Sequence, residues 1–169
     1  GRTLEVTHST VMEDEFPEAR TYNSEDPLGL APTCEVPKTT LIVRNMPWMY
    51  SQAGLIDECE LAGSFDFLHV PFSRYLGHNA GFAIINFLSA ELAARFLGRW
   101  NKCRLKHQRV GRAISITPAQ RQGRIANLQM IHEEAPVLPV VILGGHQADR
   151  ETVVSMVMKA KLGCLLWSV

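Results

Sequence analysis

The sequence predicts an α+β domain in which two helices pack against one face of a four-stranded antiparallel sheet. Short segments rich in β-branched and aromatic residues occur at 38–46, 65–72, 81–87 and 112–117. Two segments with apolar residues three and four apart lie between them, which is the spacing of an amphipathic helix. The resulting order βαββαβ is the split βαβ arrangement, the ferredoxin-like topology.

The first strand and the first helix are marked by their boundary residues. Pro47 ends the strand because proline cannot donate to a strand ladder. Ser51 is a suitable N-cap for a helix from about Gln52 to Leu61, and Gly63 ends it. The predicted buried stripe of this helix consists of Leu55, Ile56, Cys59 and Ala62.

Boundary residues also mark the other strands and the second helix. The second strand is predicted over Phe65–Phe72 and the third over Gly81–Phe87, with a loop between them. Ser89 caps the second helix. The fourth strand runs over Arg112–Thr117 and is stopped by Pro118.

Extensions are predicted on both sides of the module. Residues 1–37 are acidic and rich in proline, with few large apolar groups, and this composition predicts a disordered segment. The module with a C-terminal helix over Ala119–Met130 spans 38–130. A C-terminal extension follows at 131–169, where Val137–Leu143 is a candidate extra edge strand and Glu151–Val169 is amphipathic to apolar.

Charge is unevenly distributed, although the net charge of the chain is zero. Residues 39–128 hold eleven Lys and Arg against five Asp and Glu, whereas residues 1–38 hold three against eight. A basic domain attracts phosphate groups, and an acidic tail screens or competes for the same surface. This pattern favours a polyanionic partner for the central domain.

Side chains alternate across a strand, so the sequence also predicts which residues face away from the helices. Leu41 and Val43 should face the core, as should Ala83 and Ile85. Phe67 is equally compatible with the core and with the open face, while His69 is expected to face outward. The residues predicted to face outward on the two central strands are Ile42, Arg44, Phe82, Ile84 and Asn86.

These two central strands resemble the two submotifs of an RNA recognition motif, in which bases stack on the open sheet face. In that module aromatic residues are usual at the positions of Ile42, Phe82 and Ile84, and here Phe82 alone is aromatic. One base stacked on an aromatic ring contributes ~1–3 kcal/mol. The resemblance implies that Phe82 stacks a base, that Asn86 bonds a base edge and that basic groups hold phosphate. The candidate RNA-binding residues are Ile42, Arg44, Asn45, His69, Phe82, Ile84, Asn86, Arg121 and Arg124.

Four longer segments are similar to the C-terminal RNA recognition motif of Mei-two-like proteins. Residues 44–51 resemble its Arg-Asn-Ile-Pro-Asn-Lys-Tyr-Thr opening, and residues 65–71 resemble its Tyr-Asp-Phe-Leu-Tyr-Leu-Pro strand. Residues 81–87 are similar to Gly-Tyr-Ala-Phe-Ile-Asn-Phe, and residues 119–129 to the extension that follows the sheet. The resemblance implies single-stranded RNA binding, a role in RNA processing or meiotic control, and a nuclear or shuttling location. We expect a monomer that is nuclear or cytoplasmic, with the nucleus preferred.

Two other functions stay open. A protein-binding variant of the same fold is favoured by the loss of two aromatic positions, and the helix after the fourth strand could lie across the face and block RNA. A small enzyme of the acylphosphatase type shares the topology, but topology alone does not give function. The sequence holds no glycine-rich phosphate loop, nucleophile elbow or His-Glu metal motif, so it predicts neither an enzyme nor a cofactor. No apolar run reaches 18 residues, so no membrane partner is expected.

Overall fold

Eight strands and four helices make up the part of the chain that the computed structural model describes, residues 37–106 and 111–166. The strands are β1 (Thr40–Arg44), β2 (Phe65–His69), β3 (Phe72–Ser73), β4 (His78–Asn79), β5 (Phe82–Phe87), β6 (Ser115–Pro118), β7 (Val140–Leu143) and β8 (His146–Gln147). The helices are α1 (Gln52–Glu58), α2 (Ala90–Trp100), α3 (Arg124–Leu128) and α4 (Arg150–Leu166).

The main sheet has the order β6-β1-β5-β2-β7-β8, and all of its neighbouring strands are antiparallel. Its first four strands, with α1 and α2, confirm the predicted βαββαβ module. The predicted caps are also confirmed, because the Ser51 Oγ accepts from the Gly54 N–H at 3.1 Å and the Ser89 Oγ accepts from the Leu92 N–H at 3.3 Å. Strands β3 and β4 form a separate small hairpin.

The face covered by α1 and α2, here the inner face, carries the larger core. Apolar side chains of the strands alternate onto it as predicted. Leu41 and Val43 of β1 and Ala83 and Ile85 of β5 are buried there. Leu55 of α1 and Ala93 and Phe96 of α2 belong to the same cluster, and so does Cys59, the C-cap of α1.

The opposite face of the sheet, here the outer face, carries a second core. Phe67 of β2 and Val141 of β7 are paired across the strands and are fully buried. The segment after the sheet covers them, because α3 and α4 lay their apolar residues over this half of the face. The buried members of this outer core are Phe67, Leu128, Ile131, Val141, Val153 and Val157.

Several boundaries differ from the sequence prediction. The helix predicted over Ala119–Met130 is shorter and spans Arg124–Leu128, because Gly123 has φ +86° and turns the chain. The predicted first helix ends at Glu58 rather than Leu61, and Ala62 is exposed. The strand predicted to end at Phe72 ends at His69.

The C-terminal extension adds regular structure to the module. The predicted extra strand is confirmed as β7, which pairs with β2 through Phe67–Val141 and Leu68–Val140. It is not at the edge of the sheet, because β8 pairs with its other side. The stretch predicted at Glu151–Val169 forms α4, which spans Arg150–Leu166. Residues 1–36 of the acidic segment 1–37 lie outside the described residues, so the disorder predicted for this segment stays a prediction. Among the helices described, none combines the length and the apolar character that crossing a membrane requires.

Candidate nucleic-acid interface

A groove of about 500 Å³ opens on the outer face, beside the outer core. Its floor is a row of neighbouring side chains across three strands, since Ile42 of β1 pairs with Ile84 of β5, which pairs with His69 of β2. Arg44 and Phe82 form the next pair along the same two central strands. We call this cavity the sheet groove. Its other lining residues are Phe67, Pro71, Pro118, Ala119, Gln120, Arg121, Asn127, Met130 and Ile131.

The apolar floor of the sheet groove is partly open to solvent. Ile42, Phe82 and Ile84 all face outward as the strand alternation predicted, and each is partly buried rather than covered. Ile84 also packs against the outer core, so the core holds one side of the floor in place. The Phe82 ring is therefore accessible from the groove, on rigid strand backbone.

Arg44 and Asn45 lie at the end of β1 and are both exposed. The Arg44 guanidinium donates to the Thr117 Oγ1 at 2.9 Å, which orients it along the edge of the groove. Asn45 has φ +62° and donates from its amide to the Ala113 carbonyl at 3.0 Å. Asn45 does not line the sheet groove, and its visible role is to hold the turn after β1.

Asn86 lies on the outer face but is only 6 % exposed. Its Oδ1 accepts from the hydroxyls of Thr39 at 3.0 Å and Thr40 at 2.7 Å, and its Nδ2 donates to the Asp66 Oδ1 at 2.7 Å. In this conformation the amide is committed to protein partners and is not presented to a base. The cluster of Asn86 with its partners Thr39, Thr40 and Asp66 is here called the polar node.

Arg124 belongs to the same polar node. Its guanidinium lies 3.2 Å from the Asp66 carboxylate and also donates to the Ile142 carbonyl at 3.3 Å. It is partly buried, and its Nε has no hydrogen-bond partner. Arg124 thus joins α3 to β2 and β7, whereas Arg121, three residues earlier, is exposed on the wall of the sheet groove.

His69 was expected to be exposed, and the structure corrects this. Its side chain lies on the outer face and lines the sheet groove, but it is only 6 % exposed because the C-terminal segment closes that side of the groove. Its Nδ1 is buried without a hydrogen-bond partner. Burial lowers the pKa of the imidazole to about 4, so the ring is neutral at physiological pH.

Apart from Arg121, the residues in the wall of the sheet groove were not among those predicted from the sequence. The missed residues lie just before and just after α3, such as Gln120 and Met130. The signal that pointed to them was the similarity of residues 119–129 to a segment that follows the sheet in Mei-two-like proteins. The alternative that this segment lies across the face is partly realised, because it walls the groove and leaves Phe82 accessible.

The comparisons with known proteins agree with this architecture. The family model described as RNA recognition motif 2 matches residues 38–132. Among curated proteins, "Protein MEI2-like 3" of Arabidopsis thaliana is 29% identical over 119 residues, covering 65% of this chain and 16% of that protein. "Protein MEI2-like 5" of the same plant is 28% identical over 113 residues, covering 62% and 14%. The chain therefore spans about one sixth of the length of these relatives.

Solved structures similar to this chain include "Structure of Rna15 RRM with bound RNA (GU)". It is 19% identical with a TM-score of 0.45 and covers 52% of this chain and 89% of that one. The family match spans more than half of the sequence and includes β1 to β6 and α3. The chain belongs to the RNA recognition motif 2 family, whose members are RNA-binding modules rather than enzymes, and it is of the Mei-two-like kind.

Proposed function

We propose that this module binds single-stranded RNA in the sheet groove, with Phe82 stacking on one base and Ile42 and Ile84 in apolar contact with it. The observation that carries the proposal is the accessible Phe82 ring between two partly open isoleucines, on the floor of a groove. Aromatic rings on the face of a β-sheet are the usual stacking platforms for unpaired bases.

Two arginines provide phosphate contacts at the edges of this platform. Arg44 lies beside Phe82 on the neighbouring strand, and Arg121 lies on the wall formed by the segment before α3. Both are exposed, so their guanidinium groups reach a backbone that crosses the groove. Asn86 and Arg124 are assigned a supporting role instead, because the polar node already engages them.

Replacing Phe82 by alanine is expected to weaken binding of a single-stranded RNA octamer pool about 5- to 150-fold, which corresponds to the loss of one base–aromatic stack of ~1–3 kcal/mol. The matched control is Phe72→Ala, because Phe72 is 39% exposed and lies outside the sheet groove. Fluorescence anisotropy with labelled RNA measures both variants against the unchanged chain.

A second variant separates stacking from packing. Phe82→Leu keeps an apolar side chain but has no π-face, so it is expected to bind nearly as weakly as Phe82→Ala. Circular dichroism verifies that each variant is folded. If Phe82→Ala and Phe82→Leu both bind RNA with affinities within a factor of two of that of the unchanged chain, the stacking site is refuted.

A second candidate function is protein binding by the same face. It is favoured by two observations: the outer core covers the Phe67 half of the face, and Phe82 alone of the three usual stacking positions is aromatic. Undetectable binding to the random RNA pool favours this candidate.

The biological role is part of the proposal. In line with the similarity to the MEI2-like proteins, we propose a role in RNA processing or in meiotic or developmental RNA regulation. We also propose a nuclear location. Imaging of the tagged full-length protein tests the location, and exclusion from the nucleus would contradict it.

A further inference from the structure

His69 is a buried polar group that the fold itself does not use. It is 6 % exposed, its Nδ1 has no hydrogen-bond partner, and its neighbour in the ladder is Ile84, on the apolar floor of the sheet groove. A buried polar atom without a partner is unfavourable. A phenylalanine would fill the same space without that cost, so packing alone does not account for a histidine here.

The position of His69 joins it to the stacking platform. Both His69 and Phe82 line the sheet groove, and both are neighbours of Ile84. His69 pairs with Ile84 across the strands, and Phe82 lies two residues before Ile84 on β5. A base that lies against Phe82 and Ile84 brings one of its edges towards the β2 side of the groove. The lining of the groove also includes the apolar residues Pro71, Met130 and Ile131.

We propose that His69 is a specificity-determining residue that reads the edge of one RNA base held in the sheet groove. The inference rests on the proposed RNA-binding function and adds to it the recognition of one base. A neutral imidazole has one N–H donor and one acceptor nitrogen, and the edges of unpaired bases offer complementary groups. The lowered pKa of His69 agrees with this role, because a neutral ring bonds to a base edge rather than pairing with a phosphate.

The test compares base preferences rather than overall affinity. A pool of single-stranded RNA octamers, randomised at every position, is selected on the unchanged chain, on His69→Phe and on Phe82→Ala, and the bound RNA is sequenced. Four octamers that differ only at the most selective position then give individual affinities. His69→Phe keeps an aromatic ring of similar size and removes both hydrogen-bonding nitrogens.

The unchanged chain is expected to prefer one base at that position by about 5- to 100-fold, the range expected when a buried hydrogen-bonding group is paired or left unpaired. His69→Phe is expected to reduce this preference to within about twofold. Phe82→Ala is expected to weaken all four octamers alike.

The inference is overturned if His69→Phe keeps the base preference of the unchanged chain. It is also overturned if the unchanged chain binds RNA without any base preference. In both cases the proposed function stands, because the chain still binds RNA. Absence of RNA binding by the folded, unchanged chain overturns the proposed function and the inference together. If His69→Phe does not fold, His69→Leu takes its place, with the same expected loss of preference.

Discussion

Phe67→Ala is expected to lower the free energy of unfolding by about 3–5 kcal/mol, the usual range when a fully buried phenylalanine is truncated. The Phe67 ring is 0% exposed and lies between the sheet and the segment that contains α3 and α4. Its removal takes away the largest side chain of the outer core and leaves a cavity over β2. Urea denaturation followed by circular dichroism measures the change.

The control for this variant is Phe82→Ala, which removes the same side chain from the same face. Phe82 is partly exposed, so its loss is expected to cost less of the folding free energy than the loss of Phe67. Equal effects of less than about 1 kcal/mol would show that the C-terminal segment does not pack on the outer face, since such packing is the cause of the expected difference.

Asn86→Ala is also expected to have a large effect: it should lower the free energy of unfolding by about 2–4 kcal/mol. The substitution removes the two hydrogen bonds that the Asn86 Oδ1 accepts from the hydroxyls of Thr39 and Thr40. It also removes the hydrogen bond that the Asn86 Nδ2 donates to Asp66, and all three lie in a largely buried site. A buried donor or acceptor left without a partner costs about 1–3 kcal/mol, and more when it is charged. The Asp66 carboxylate keeps only its contact with Arg124 among the contacts of the polar node.

Asn45→Gly is the matched control for Asn86→Ala. Asn45 is exposed, makes one side-chain hydrogen bond at 3.0 Å and has φ +62°, a conformation that glycine adopts readily. Its replacement is expected to cost less than about 1 kcal/mol. An Asn86→Ala variant as stable as Asn45→Gly, but deficient in RNA binding, would instead assign Asn86 to the base contact that the sequence predicted.

Much of the sheet was predictable from local pattern. The alternation of apolar residues correctly placed Leu41 and Val43 on the inner face and Ile42 and Phe82 on the outer face. Serine caps at positions 51 and 89 were equally local signals. These features depend on neighbouring residues in the chain, so no knowledge of distant contacts was needed.

The burial of outward-facing residues was not predictable in this way. Asn86 and His69 follow the expected alternation, yet both are buried because residues after the sheet return to cover their half of the face. The late start of α3, at Arg124 rather than at Ala119, also results from contacts between residues far apart in the sequence. The Gln122 side chain accepts from the Thr39 and Thr40 N–H groups and donates to the Thr40 carbonyl, which ties residues 119–123 to β1 instead of a helix.

An NMR titration of the isotope-labelled chain with the single-stranded RNA octamer pool shows directly whether RNA lies in the sheet groove. We expect chemical-shift changes on the floor and wall of the sheet groove, at Ile42, Phe82, Ile84 and Arg121, while the signals of α1 and α2 stay unchanged. Changes confined to α1 and α2, or spectra that RNA leaves unaltered, would contradict the claim that this groove is where the protein holds RNA.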